Sequence, residues 1–201
     1  MADPRIWGPL PVLIQNLLEK NIAFDASNVQ KMKSAGPAIL GEVDEALDDY
    51  FGDYEVFSSE EMLYVPIENF NIFFKGFVDA VVKVGDTYHL FDWKTCSWGW
   101  DSRKKAEKLV TYQLTLYKHF FCQKHKIDPE KVETHFALLK RTAKKDRVEI
   151  FRVTSGPKKT ENALKLLYQA IYNITKRFSI KNRLNCHKPY PCKLLNTEHC
   201  P

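Results

Sequence analysis

Asp79, Asp92 and Lys94 are the residues of this sequence whose types and spacing point most directly to chemistry. They lie in two runs rich in Val, Ile, Phe and Tyr, Ile72–Val84 and Thr87–Lys94, joined by Val84-Gly85-Asp86-Thr87. That stretch reads as a two-residue hairpin turn with glycine in its first central position. Such a turn sets Val84 against Thr87, so paired residue numbers sum to 171 and Asp79 falls opposite Asp92. Directly opposed side chains share a face, with Cβ atoms about 5 Å apart. Like charges so placed repel, and a carboxylate beside Phe77 and Val81 is costly without a partner. A divalent cation removes both objections, because two hard carboxylate oxygens at that spacing suit magnesium or manganese. Lys94, two residues past Asp92, points to the same face about 6–7 Å along the strand. Its ammonium can orient or deprotonate a water and offset the charge of a phosphate. The competing reading is a solvated surface hairpin in which Lys94 merely pairs with Asp92, and a bulge would break the register.

The surrounding pattern supplies elements to hold these groups. Pro9 and Pro11 open a helical stretch near 11–20, and Asp25, Ser27 and Asn28 are capping residues before a second short helix. A third helix is expected from about Gly36 to Tyr50, with Ile39, Val43, Ala46, Leu47 and Tyr50 on one face and Gly52 ending it. Strands follow at Tyr54–Ile67, Ile72–Val84 and Thr87–Lys94. A long helix runs from about Ser102 to Lys124. Two more strands are expected near Val132–Arg141 and Arg147–Val153, and a last helix from Pro157 to about Phe178. This order predicts an α/β (α+β) fold with a central mixed sheet flanked by helices. The expected organisation is one domain over 1–180, with an acidic helical part (1–52) and a motif-bearing core (53–180), then a cysteine-containing tail over 181–201.

At 201 residues the chain has room for one substantial core, and 44% hydrophobic with 27% charged residues is the balance of a globular protein. No apolar run is long enough for a membrane helix. The apolar N-terminal run has no basic leader or small-residue cleavage site, so the expected location is cytoplasmic, with its five cysteines reduced or metal-bound. A phage source is compatible with this reading. The net charge of +5 conceals a division: residues 1–70 carry 4 basic and 13 acidic side chains, residues 71–201 carry 26 and 12. A basic block of that size can track a phosphate backbone, although a lysine-rich solvated surface has the same composition.

The segments KGFVDAVV, LFDWKT and YQLTLY, in that order, resemble the RecB-type branch of the PD-(D/E)XK nuclease superfamily. The matching pairs and triplets are Gly76 with Asp79, Asp92-Trp93-Lys94, and Gln113 with Tyr117. The resemblance implies a restriction-endonuclease-like core. It makes Asp79, Asp92 and the backbone carbonyl of Trp93 metal ligands, Lys94 the catalytic lysine, and Gln113 and Tyr117 part of the active-site face. Residues four apart share one side of a helix, which for Gln113 and Tyr117 is also what an ordinary amphipathic helix would give. The family's upstream Gly-x-x-His pattern corresponds to Gly41–Asp44, with Asp44 at the histidine position, Glu45 beside it, and a solvated acidic face as the alternative. Glu60 is another candidate ligand: a four-residue loop at Glu68–Asn71 would make paired numbers sum to 139 and set Glu60 against Asp79.

Cys186, Cys192 and Cys200, with His187 and His199 among them, are similar to the C-terminal cysteines of iron–sulfur members of this branch, including CRISPR-associated adaptation nucleases. The usual N-terminal cysteine is missing. Cys96, Cys122 or a histidine would have to complete an iron–sulfur or zinc site, and unliganded thiols are the alternative. The combined expectation is a magnesium- or manganese-dependent deoxyribonuclease, more in keeping with exonuclease than site-specific action. Single- or double-stranded DNA is its partner, Arg103, Lys104 and Lys105 hold phosphates, and recombination or replication proteins are candidate associates. The alternative is a catalytically silent nucleic-acid-binding module of the same fold.

Overall fold

The computed structural model describes the backbone of residues 26–178 and 197–198, with side chains described from Lys33 onward. The chain divides into two compact units, Met1–Ser155 and Gly156–Pro201. The first holds a five-stranded mixed sheet in the order β1 (Glu55–Pro66), β2 (Phe73–Val84), β3 (Thr87–Cys96), β4 (Val132–Lys140), β5 (Val148–Arg152). Neighbours are antiparallel except β3 and β4, which run parallel and are joined through helical segments. A parallel pair needs such a crossover.

Helix α1 (Ala26–Phe51) covers one face of the sheet. Its Val43, Leu47 and Phe51 fall at four-residue intervals and pack on Val82, Phe91 and Ala137, with Trp93 and Ile150 at the margin. The two helices expected around Gly36 are a single helix here, running through Pro37. Proline removes one backbone donor, and the helix nevertheless continues through it. Gly52, at φ 67°, closes the helix by donating its N–H to the Asp48 carbonyl. Glu42 anchors α1 to the sheet by accepting from the backbone N–H and guanidinium of Arg147.

The opposite face is covered by α3 (Lys108–His125), preceded by a single turn, α2 (Ser102–Lys105). The expected continuous helix is thus interrupted at Ala106-Glu107, where α2 ends on its own carbonyls and a new helix begins. Leu114 packs with Phe136, Leu138 and Val153, and Phe120 stacks on Phe74 at 4.1 Å. Each fully buried side chain of this size contributes about 1.5–3 kcal/mol. In the second unit α4 (Pro157–Thr175) starts with proline in its first turn and buries Ala163 and Ile171.

The turn at Gly85 (φ 55°) gives the expected register: Val84 pairs Thr87, and the ladder continues to Ala80 opposite Phe91. There it stops, one pair short of Asp79 and Asp92. The β1–β2 pairing keeps the 139 sum on both sides of Glu60, with Ser59 opposite Ala80 and Glu61 opposite Val78. Strict alternation nevertheless fails at this level. Phe74 and Gly76 face α3, whereas Ala80 and Val82 face α1, so β2 loses one alternation between them. On β1, Glu60 adopts a left-handed backbone (φ 51°) at the matching position. The sheet is therefore irregular where Asp79 sits, a departure that the two-residue period cannot foresee.

Candidate active site

Asp92 projects from β3 toward α3 and is 3% exposed. Its Oδ1 accepts a 2.7 Å hydrogen bond from Gln113 Nε2. The same amide nitrogen lies 3.1 Å from the Tyr117 hydroxyl, and Gln113 Oε1 accepts from Lys94 Nζ at 3.1 Å. Carboxylate on one side and ammonium on the other fix which way the Gln113 amide faces. Lys94 Nζ also lies 2.5 Å from Asp92 Oδ2. That contact is a close ion pair, and the buried Oδ2 has no other partner. Burial pushes the Asp92 carboxyl above the ordinary aspartate range. Lys94 opposes the shift and the Asp79 charge adds to it.

Asp79 reaches the group by another route. Its Oδ2 accepts the Trp93 N–H at 2.7 Å. A strand N–H lies in the plane of the sheet, so the carboxylate occupies the place where a backbone carbonyl of β2 would continue the ladder. The sequence reading had both carboxylates standing on one face. Instead the strands part after Ala80 and Phe91, and Asp79 enters the gap. Gly76 is required for a packing reason: a Cβ there would lie 2.9 Å from Tyr117 Cε1 and 3.2 Å from Phe74 Cε1. The absence of a side chain lets α3 bring Tyr117, and with it Gln113, close to β2.

The structure thus gathers Asp79, Asp92, Lys94, Gln113 and Tyr117 and leaves other candidates apart. Asp44 is exposed on α1, where its charge acts on Tyr54. Glu45 is also exposed, beside a cleft shared with Lys144 and Lys145. Glu60 is exposed but bracketed by the pairs on either side of Asp79. Cys122 is buried on α3, and burial pushes its thiol to about 11, so it is a poor thiolate ligand. Cys186, Cys192 and Cys200 lie outside the described residues.

The basic cluster at α2 is not uniform. Lys105 pairs with Glu149 at 2.5 Å and sits over the Phe151 ring, while Lys104 lies over Trp100. Arg103 is exposed. Arg103→Ala is expected to leave the melting temperature unchanged, because its side chain is exposed. Lys105→Ala is expected to cost about 0.5–1 kcal/mol of stability through the lost pair with Glu149. Melting curves separate the two.

Sequence reading passed over a second group. His89, Glu133 and His135 place one nitrogen or oxygen each within 4.8 Å of one another. The signal available was the two-residue spacing of Glu133 and His135, which puts both on one face of a strand. Without the pairing of β3 to β4, nothing connected them to His89.

Residues 13–201 match the model of the PD-(D/E)XK nuclease superfamily, and the chain belongs to that superfamily. It is, by family, a nuclease. The mixed sheet with helices on both faces is the restriction-endonuclease-like fold that this membership entails. Among solved structures, the chain is similar to a protein of Eubacterium rectale described as a "Putative exonuclease", at 15% identity and a TM-score of 0.54, over 90% of this chain and 70% of that one. This likeness concerns the fold. A looser match is to the protein SSO0001, at 14% identity and a TM-score of 0.43, over 88% and 73% of the two chains. No curated protein matches the sequence. Among the described residues, no helix is long and apolar enough to cross a membrane.

Proposed function

We propose that this protein is a divalent-metal-dependent deoxyribonuclease that degrades DNA from ends. The observation that carries the reading is the buried Asp92 carboxylate, with one oxygen ordered by Gln113 and the other held only by the partly solvated Lys94 ammonium, close enough to the Asp79 carboxylate to feel its charge. Two carboxylates so placed, one of them buried, fit a hard cation better than a purely structural role. Asp79 and Asp92, with the Trp93 carbonyl, are the residues that would hold magnesium or manganese. Bound there, the metal would polarise the scissile phosphate and acidify the attacking water. Lys94 would hold or accept a proton at the nucleophile and offset charge on the phosphate. Gln113 orients both Asp92 and Lys94, and Tyr117 holds Gln113 from behind. DNA as substrate is supported by the basic balance of residues 71–201 and by the RecB-type motifs, and those motifs also favour exonuclease action.

The test is degradation of linear and covalently closed circular DNA, single- and double-stranded, with magnesium, manganese or chelator. Metal-dependent loss of linear substrates with circles intact supports the reading. No degradation of any substrate with either metal overturns it, and cutting of circles overturns the exonuclease assignment.

For the third carboxylate we favour Glu60 over Asp44. Glu60 lies at the register position opposite Asp79 and holds a left-handed backbone, which costs a non-glycine residue about 1–2 kcal/mol. Glu60→Gly is therefore expected to leave metal-free stability unchanged or raised by about 1 kcal/mol. It should raise the magnesium concentration for half-maximal activity at least about tenfold. Asp44→Asn should change neither. An unaltered metal requirement in Glu60→Gly removes Glu60 from the site.

A further inference from the structure

We propose that His89, Glu133 and His135 form a second metal site, selective for zinc-like transition ions, on the α1 face of the sheet. The three residues come from the parallel pair β3–β4, with His89 opposite Glu133 and Phe91 opposite His135. Odd-numbered positions on both strands face α1, where the Phe51 ring lies 4.7 Å from His89 and 5.5 Å from His135. Asp92 and Lys94 project from the other face, so the two sites are separate.

The distances match a bound ion. His89 Nδ1 lies 3.0 Å from His135 Nε2 and 3.7 Å from Glu133 Oε2, and His135 Nε2 lies 3.9 Å from the same oxygen. A triangle with these sides has one point about 2.1 Å from every corner, the usual zinc–nitrogen and zinc–oxygen distance. The carboxylate oxygen is too far from either nitrogen for a hydrogen bond, so a direct Glu–His contact does not explain its position. Arg152 Nη2 holds the other oxygen, Oε1, at 2.8 Å and turns Oε2 toward the histidines. Orienting a ligating carboxylate in this way is a common supporting contact.

The histidines are also in the right form. They are 8% and 1% exposed. Their facing nitrogens share one proton in the 3.0 Å hydrogen bond, and a bound ion would displace that proton and take a lone pair from each ring. Two imidazoles and one carboxylate suit zinc, cobalt or nickel, whereas magnesium prefers an all-oxygen set. Three protein ligands leave one position open to water or an exogenous group. The ion would clasp β3 to β4, the strands that also position Asp92 and Phe136.

The test uses the full chain with Cys186, Cys192 and Cys200 replaced by Ser and with Asp92→Asn, which removes the cysteine tail and the carboxylate site as binders. After chelator treatment, cobalt(II) is added as the spectroscopic probe, followed by zinc. We expect one equivalent of cobalt with visible ligand-field bands of a nitrogen–oxygen site, displaced by zinc, and a melting temperature raised by zinc but not by magnesium. Glu133→Gln and His89→Gln are the ligand variants. Each one that retains the parent far-ultraviolet dichroism should lose at least about tenfold in cobalt affinity. Absence of bands in the parent, or bands unchanged in either folded variant, overturns the proposal. Zinc binding seen only when the cysteines are restored, with thiolate charge-transfer bands, assigns the metal to the tail instead and likewise overturns it. Because the readouts are spectral and thermal, failure here is distinct from absence of nuclease activity.

Discussion

Asp92→Asn is expected to abolish nuclease activity while leaving the metal-free protein at least as stable at neutral pH. The loss of rate should be about 10³-fold or more, equivalent to about 4 kcal/mol or more, because the proposed metal ligand and its charge disappear together. The stability expectation follows from burial. The Asp92 carboxyl titrates above its ordinary range, chiefly through burial, with the Asp79 charge adding to the shift and Lys94 opposing it. A group whose folded pKa is raised contributes stability that is complete below the unfolded pKa. That stability is lost as pH rises through the folded value. At neutral pH the ionised Asp92 is thus a burden in the metal-free fold. Asparagine keeps the shape and the Gln113 contact and removes that burden, and Lys94, about a third exposed, can turn its charge to water. Melting temperatures from acid to neutral pH, without metal, should show a shallower decline in the variant than in the parent. In the parent, magnesium should stabilise more strongly as pH rises and the metal stops competing with the proton. A variant that keeps activity, or that melts lower than the parent at neutral pH, contradicts this account of Asp92.

Lys94→Ala has the opposite signature in stability and a similar one in rate. Removing the ammonium leaves Asp92 Oδ2 buried with no cation beside it, and leaves Gln113 Oε1 without its donor. Metal-free stability is expected to fall by about 1–3 kcal/mol, less than for a fully buried pair because Lys94 is partly solvated. The Asp92 carboxyl should titrate still higher. Magnesium should recover most of that loss, since a cation at the carboxylates replaces the charge that was removed, so the magnesium-induced rise in melting temperature exceeds that of the parent. Activity should drop about 10²–10⁴-fold even at saturating metal, the range for a lost acid–base or charge-stabilising group. Melting with and without magnesium, beside rates at saturating metal, checks both parts. A small magnesium shift combined with a large loss of rate would mean that Lys94 acts on the substrate alone and is not the ordering partner of Asp92.

Taken together, the two variants separate the roles of one ion pair. Under the proposed function the carboxylate is costly without metal and indispensable with it, and the lysine makes the carboxylate tolerable without metal and serves the reaction with it. Gln113 is the hinge between them, and its position depends on Gly76, whose missing side chain lets Tyr117 approach.

Much of the fold was legible in the residues. Alternating and β-branched runs located all five strands to within two residues, and Gly52 marked the end of α1. The Gly85 turn determined the β2–β3 register because turn type and pairing are local properties of the chain. The continuity of α1 through Pro37 and the break at Ala106-Glu107 were not legible, since proline there is an ordinary boundary signal and Ala-Glu is an ordinary helical pair. The cysteine tail lies outside the described residues.

The opening hairpin marks the boundary most clearly. By itself the sequence determined that Asp79, Asp92 and Lys94 sit on adjoining strands at the same level, from short-range geometry and the two-residue period of a strand. Only the tertiary structure decided how the carboxylates meet. The sheet loses one alternation at Asp79 and Glu60, the ladder stops at Ala80 and Phe91, and Asp79 takes the Trp93 N–H in place of a carbonyl. Likewise, only the parallel pairing of β3 with β4 brought His89 to Glu133 and His135 across more than forty residues of sequence. Spacing along the chain carries information about the nearest turn or strand. Contacts that cross between strands or faces arise when the apolar surfaces of helices and sheet close on one another, and no local pattern encodes them.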